Sequence, residues 1–286
     1  MKILSFGEVL WDVFDSGAFI GGAPLNFAAH LAKMGENTYI LTSVGNDDLG
    51  AKTTQKIKEF GVKTDYISVS KMLETGKCVV SLDSNKIPKY NLLNNVAYDE
   101  ILCDKIPNDF DVLYFGTLAL RNDFNKISLK NLIASHCFKE VFVDVNIRPP
   151  FYSKESVEFA VNNATILKIS DEELPIISEI LGIAYGDDFI KNLCTKYNNL
   201  KFIIITRGDK GSYCFDIDNN TKFTAKSVKV EVASTVGAGD SFSATFLQKY
   251  LSGNDIQNCL DFASKISAFV VSKTEAIPEY NPQQFE

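Results

Sequence analysis

The residues best placed to do chemistry lie in the stretch Thr235-Val236-Gly237-Ala238-Gly239-Asp240-Ser241-Phe242. Two closely spaced glycines open a segment with Phe242, Phe246, Leu247, Tyr250 and Leu251 at helical spacing, and Gly253 marks its end. A glycine turn lets the backbone pass close to a ligand, and the first N–H groups of a helix have no intrahelical partner. Together with the positive end of the helix dipole they form an anion site. A carboxylate at that place, Asp240, repels a phosphate. Its presence makes sense if it takes a proton from a hydroxyl that attacks phosphorus. The plainer alternative is a turn followed by a helix that Asp240 caps. These few residues leave both open.

Other candidates fall at predicted strand ends. Asp12 stands alone in the apolar run from Val9, either a turn carboxylate or an acceptor for a polar ligand. Gly21-Gly22-Ala23-Pro24-Leu25-Asn26 describes a strand-to-helix junction with a proline in the first turn. Asn26, one turn in, can donate to and accept from hydroxyls. Asp144, Asn146 and Arg148 cluster at the carboxyl end of an apolar run, where open α/β sheets place their ligands. Arg148, held on a stiff turn before Pro149-Pro150, reads equally as half of a surface ion pair. Ser170 and Glu173 have capping-box spacing, which suffices to explain Ser170. Gly208 and Gly211 either pass beside nucleotide phosphates or turn a hairpin into Ser212.

The elements that must hold these residues alternate along the chain. Strands are predicted at residues 3–7, 39–44, 112–116, 140–146, 164–169 and 202–206, and helices before Gly35, up to Phe60, at 127–137 and at 255–271. This βαβ rhythm predicts a parallel sheet flanked by helices. Residues 226–232 read as a further strand running into the Gly237 turn, and Asn219-Asn220 as a hairpin turn. Residues 78–82 and 89–93, joined by 83–88, break the rhythm. They predict a hairpin in a small projecting sheet, serving as a lid or a dimer surface, with an edge hairpin of the main sheet as the alternative.

Composition excludes several function classes. The chain of 286 residues is long enough for one large domain, or a domain with a small accessory one. A formal charge of −7 with no basic tract argues against a nucleic-acid partner. No apolar run reaches membrane-span length and residue 1 leads straight into a strand, so no membrane partner is expected and the cytoplasm is the default location. Six scattered cysteines without a C-x-x-C pair read as core thiols, and two histidines leave little for a metal site or a Ser-His-Asp triad.

Taken together, these motifs resemble the PfkB/ribokinase family of carbohydrate kinases, and most closely its fructokinase branch. Gly21-Gly22-Ala23-Pro24-Leu25-Asn26 is similar to the family's N-terminal signature, and Thr235-Val236-Gly237-Ala238-Gly239-Asp240 to its C-terminal one. Thr75-Gly76, Val80-Ser81-Leu82-Asp83 and Val96-Ala97-Tyr98-Asp99 look like the branch's lid and its exit, and Asp144 to Pro150 like its central motif. The resemblance implies a ribokinase-like, Rossmann-type three-layer α/β domain over residues 1–286, with a mainly parallel sheet and a small β-sheet lid from insertions near 12–21 and 74–96. It implies transfer of the ATP γ-phosphate to a sugar hydroxyl, most simply of D-fructose. The alternatives are ribose, a sugar acid such as 2-keto-3-deoxygluconate, or a non-catalytic sugar-binding relative. By resemblance, Asp240 is the base and the amides of Gly237, Ala238 and Gly239 form the anion hole, while Asp12, Gly22, Asn26 and Arg148 hold the sugar. Lys168, Ser170, Thr206, Gly208 and Gly211 line the nucleotide, and Glu173 meets Mg²⁺ through water. A homodimer through the lid is a further implied arrangement. Ser234 and Glu275 depart from the family's usual Asp and Gly beside a monovalent-cation site, which predicts weak dependence on K⁺.

Overall fold

In the computed structural model, residues 1–14, 17–82 and 88–285 are described. The chain opens with β1 (Lys2–Phe6), β2 (Leu10–Phe14), β3 (Gly17–Gly21) and α1 (Ala23–Lys33). Then come β4 (Asn37–Gly45), α2 (Asp48–Glu59), β5 (Lys63–Ser70), β6 (Gly76–Leu82) and β7 (Pro88–Leu92). The middle holds β8 (Val112–Phe115), α3 (Asp123–Ser135), β9 (Glu140–Asp144), α4 (Lys154–Asn163) and β10 (Ile166–Ser170). It continues with α5 (Leu174–Leu181), α6 (Phe189–Lys196), β11 (Phe202–Thr206), β12 (Ser212–Asp216) and β13 (Thr221–Ala225). The last two helices are α7 (Ala238–Leu251) and α8 (Ile256–Val271).

A nine-stranded sheet in the order β13-β12-β11-β10-β9-β8-β1-β4-β5 forms the centre. It is parallel from β11 to β5, with β12 and β13 added antiparallel at one edge. The parallel strands are apolar on both faces because helices cover both. On one face Ile3, Tyr114, Phe142 and Ile204 pack with Phe27 of α1, Phe246 of α7 and Leu260 of α8. On the other Leu4, Phe115, Val143 and Ile205 pack with Leu129, Val161, Ile177 and Leu193 from α3 to α6. Strand order reverses between β1 and β8, and a ligand crevice forms beyond the carboxyl ends of strands at such a switch.

The hairpin of β6 and β7 belongs to a separate four-stranded sheet, β3-β2-β6-β7, rather than to the edge of the main one. Its connecting loop, residues 83–87, lies outside the described residues, as do 15 and 16. Two expectations need correction. Residues 226–232 form no strand: the edge strand ends at Ala225, and the chain beyond it exposes Val228, Val230 and Val232. Alternation there had no partner strand to satisfy the backbone, so pattern alone misled. The third helix begins at Asp123, capped by the Asn122 side chain on Phe124 N (2.8 Å). Its polar first turn hid the start from the apolar pattern. All six cysteines are free, and no helix among the described residues is long and apolar enough to cross a membrane.

Candidate active site

The turn before α7 is held open by Gly237, whose φ of 80° is left-handed and suits glycine. The first helical hydrogen bond runs from Ser241 N to Gly237 O (2.9 Å). The amides of Gly237, Gly239 and Asp240 have no acceptor among the described residues, so they are free to donate to an anion at the helix N-terminus. Ala238 N, expected among the free donors, instead donates to Thr235 O at 3.3 Å.

Asp240 projects from this first turn into the space below α1. Gly22 precedes that helix with a φ of 113°, a positive value that suits glycine, and packs against the Glu8 carbonyl, with Pro24 in the first turn. One turn on, Asn26 Nδ2 donates to Asp240 Oδ2 (2.7 Å), joining the two sequence signatures directly. Asn26 Oδ1 is buried without a donor, so an acceptor is left for an incoming hydroxyl. Burial lifts the Asp240 carboxyl to about 6. The Asn26 bond pulls it back, Asp144 pushes it up, and Lys168 and Arg148 lower it. The result is a better proton acceptor than an ordinary aspartate.

Behind the turn lies a buried ion pair. Lys168 Nζ donates to Asp144 Oδ2 at 2.7 Å, both side chains being nearly inaccessible. Ser243 Oγ of α7 donates to the same oxygen at 3.3 Å. Burial disfavours the Lys168 charge, but Asp144 outweighs it and raises the ammonium above its ordinary value. A methyl group on Gly239 would come within 3.1 Å of Lys168 Nζ, so the ammonium sits directly under the anion turn. Its position adds positive charge to that turn.

Arg148 is exposed; its carbonyl accepts from Phe151 N (2.6 Å), and its guanidinium makes no hydrogen bond or ion pair among the described residues. Its charge nonetheless lowers the carboxyls of Asp12, Glu8 and Asp240, so it lies within electrostatic reach of all three. Asp12 sits on β2 of the small sheet, across from Phe19 and beside Cys78. Burial raises its carboxyl despite the Cys78 thiol and Arg148. Of the expected sugar residues, Asn26 bonds Asp240, Gly22 precedes the same helix, and Arg148 is within electrostatic reach of both Asp12 and Asp240.

Glu173 makes one half of the capping box its spacing suggested, accepting from Ser170 N, and adds a bond to another strand end. The helix α5 begins after it, with no side-chain cap. Its carboxylate accepts from Ile147 N (2.5 Å), Ser170 N (2.8 Å) and Ser170 Oγ (2.9 Å). It thus ties the end of β9 to the end of β10, and Ser170 donates rather than caps. Thr206 pairs with Ser170 in parallel register, and Gly208 and Gly211 turn the chain from β11 into β12. These residues form a second rim at the carboxyl ends, on the far side of Lys168.

One residue of the site escaped the sequence reading. Glu8, just past β1 at the switch point, is 3% exposed and its Oε2 has no partner. Burial pushes its carboxyl up to about 7; backbone donors and Arg148 lower it, and Asp240 raises it. A charged residue between a glycine and an apolar run was the available signal.

The chain and its fold are similar to those of known proteins. The model of the pfkB family of carbohydrate kinases matches residues 2–284. Fructokinase-2 of Zea mays is 25% identical over 309 residues, covering 96% of this chain and 90% of its own. The 5-dehydro-2-deoxygluconokinase of Bacillus licheniformis is 26% identical over 282 residues, covering 91% and 84%. The crystal structure of a fructokinase with bound ATP from Xylella fastidiosa superposes with a TM-score of 0.85 at 19% identity, covering 96% of this chain and 94% of that one. With its two signatures bonded to each other through Asn26 and Asp240, and the family model spanning nearly its full length, this chain belongs to the pfkB family of carbohydrate kinases.

Proposed function

We propose that the protein transfers the γ-phosphoryl group of ATP to a hydroxyl of D-fructose. The observation that carries this reading is Asp240, bonded to Asn26 and placed beside the free amides of Gly237 and Gly239. The sugar would lie between Asp12, Gly22, Asn26 and Arg148. Its hydroxyl gives up a proton to Asp240 Oδ1 or Oδ2 as its oxygen attacks the phosphorus, and ADP departs with the bridging oxygen's electrons. Charge on the transferring oxygens meets the helix N-terminus and the nearby Lys168 ammonium. Thr206, Gly208 and Gly211 would border the nucleotide, with Ser170 behind them.

Mg²⁺ fits this donor set as a companion of the phosphates. Among the described residues no three His, Cys, Asp or Glu side chains cluster as a metal cage, and Mg²⁺ typically keeps water and phosphate ligands. Glu173 would face it through water, and the ion would neutralise phosphate charge. The four-stranded sheet would serve as the lid, with a homodimer across it and the cytoplasm as location.

Fructose is the first choice because the Zea mays relative is covered over nearly its whole length. A sugar acid is the second, because the unpartnered Arg148 guanidinium suits a carboxylate and the Bacillus licheniformis relative is a gluconate-type kinase by name. A coupled ADP-release assay over fructose, ribose, 2-keto-3-deoxygluconate and 5-dehydro-2-deoxygluconate tests the reading. Highest kcat/KM for fructose is expected. Preference for an acid would replace the substrate, and no turnover with any of them would remove the kinase reading.

A further inference from the structure

The mechanism uses α1 at Asn26 and leaves a buried group one turn further on. His30, four residues along the same helix face, has no exposure to solvent. Both of its ring nitrogens are taken by the chain after α8. Nε2 lies 2.9 Å from Ala276 O, and Nδ1 lies 2.8 Å from the Tyr280 hydroxyl. A carbonyl only accepts, so Nε2 carries the hydrogen and Nδ1 accepts from Tyr280. Burial holds the imidazole down to about 4, which keeps it neutral at working pH.

Ala276 is next to the anion turn. A methyl group on Gly237 would lie 2.7 Å from Ala276 O and 2.9 Å from its Cα and Cβ. Ile277 follows it into the cluster formed by Val9, Leu25 and Ala28. Two bonds from α8 and its end, Ser267 Oγ to Ala238 O and Ala233 N to Val271 O (2.9 Å each), hold other sides of the turn. The Lys33–Glu279 ion pair also joins α1 to the tail, but Glu279 is 90% exposed and such a pair contributes little in water.

We infer that His30 is a positioning residue for phosphoryl transfer, holding Ala276 against Gly237 from the same helix face that holds Asp240 through Asn26. One turn of α1 then sets the spacing between the proton acceptor and the anion-binding amides. This rests on the kinase reading of Asp240 and the Gly237 turn, and the test separates the two.

The variants are His30→Phe, which fills the volume without either bond, His30→Gln, whose amide can donate to Ala276 O and accept from Tyr280, and Tyr280→Phe. Two readouts are compared, steady-state kinetics and amide hydrogen exchange over residues 233–240 and 272–280. His30→Phe should lower kcat about tenfold to a hundredfold, as misplacement remote from the reacting atoms does, with sugar KM within about threefold. Exchange should quicken in those two segments and stay unchanged in β8 to β10. His30→Gln should recover most of both readouts, and Tyr280→Phe should fall between. Unchanged kcat in His30→Phe, or unaltered exchange at the bonded amides of Ala233, Ser234 and Ala238, would overturn the inference. Equal losses in His30→Phe and His30→Gln would overturn it too, since the imidazole would then only fill space. If His30→Phe does not fold, Tyr280→Phe decides by the same two readouts. If the wild type phosphorylates no sugar, the kinase reading falls and the exchange comparison still decides the contact.

Discussion

Around Asp240 the site is assembled from buried groups that already bond one another, whereas along residues 226–236 it is exposed chain without regular structure. On the first side Asn26, Asp144, Lys168 and Ser243 are buried and joined by hydrogen bonds. On the second, Val232 is 62% and Val236 48% exposed, and Ser234 Oγ merely accepts from Val236 N at 3.2 Å. The difference follows from what each side must do. Charge stabilisation in a transition state requires dipoles and charges that need no reorganisation, so they are fixed by folding. A surface that only contacts a ligand can be shaped by loops resting on the scaffold.

The sharpest break in this contrast is Asp240→Asn. The amide keeps the shape and cannot take the proton, so kcat should fall ~10²–10⁴-fold with sugar KM near that of the wild type. Steady-state kinetics showing more than a tenth of wild-type kcat would remove Asp240 as the base. In the wild type, log kcat/KM should rise with pH to a plateau above about 6, because the protonated carboxyl is inactive. Glu8 is close enough in charge to make this a shared titration.

Two glycines then compare the sides directly. Gly237 and Gly208 both have left-handed φ, 80° and 53°, so alanine costs each about 1–2 kcal/mol of backbone strain. A methyl at Gly237 also meets Ala276, which adds about 1–3 kcal/mol of overpacking, while at Gly208 it meets nothing within 4 Å. Urea denaturation should therefore show Gly237→Ala as the more destabilised, with kcat reduced, and Gly208→Ala with kcat nearly intact. Equal losses would mean that the two turns are equally packed.

Glu8→Gln measures what buried charge costs on the first side. Folding raises this carboxyl from 4.5 to about 7, so the folded state holds the proton more tightly than the unfolded chain. Stability from this group is present below pH 4.5 and is lost as pH rises through 7. Glu8→Gln should thus stabilise by up to about 3 kcal/mol at pH 8 and by little at pH 4, read from urea melts at both values. A pH-independent difference would place Glu8 in contact with solvent or a cation instead.

Arg148→Ala should raise sugar KM about tenfold, the worth of one charged hydrogen bond, and leave ATP KM near its starting value. An effect on ATP alone would put this guanidinium on the other side of the site. The smallest effect is expected from K⁺. Ser234 brings no carboxylate, Glu275 is exposed, and the Lys273 ammonium lies over the Phe269 ring (4.9 Å) instead of beside the anion turn. Rates in potassium chloride and tetramethylammonium chloride at equal ionic strength should differ by less than about tenfold. A larger activation would show a cation site formed by backbone oxygens alone.

Local sequence determined the elements and their chemistry. Glycine and proline at Gly22, Pro24 and Gly237 act within a few residues, and apolar runs such as Phe202–Thr206 can only be buried strands. Those features pointed to the glycine turn and to Asp240 as a candidate proton acceptor, while the grouping of Asp12, Asn26 and Arg148 was implied by the family resemblance. Tertiary structure decided the pairings between distant positions. Asn26 meets Asp240 across 214 residues, and Lys168 pairs with Asp144 beneath the glycine turn. Glu173 kept the Ser170 bond its spacing suggested and added Ile147 N from another strand end, and His30 closed on Ala276 and Tyr280, 246 and 250 residues away. The failed strand at 226–232 has the same cause: a strand needs a partner for its backbone, and whether one is within reach depends on the rest of the chain.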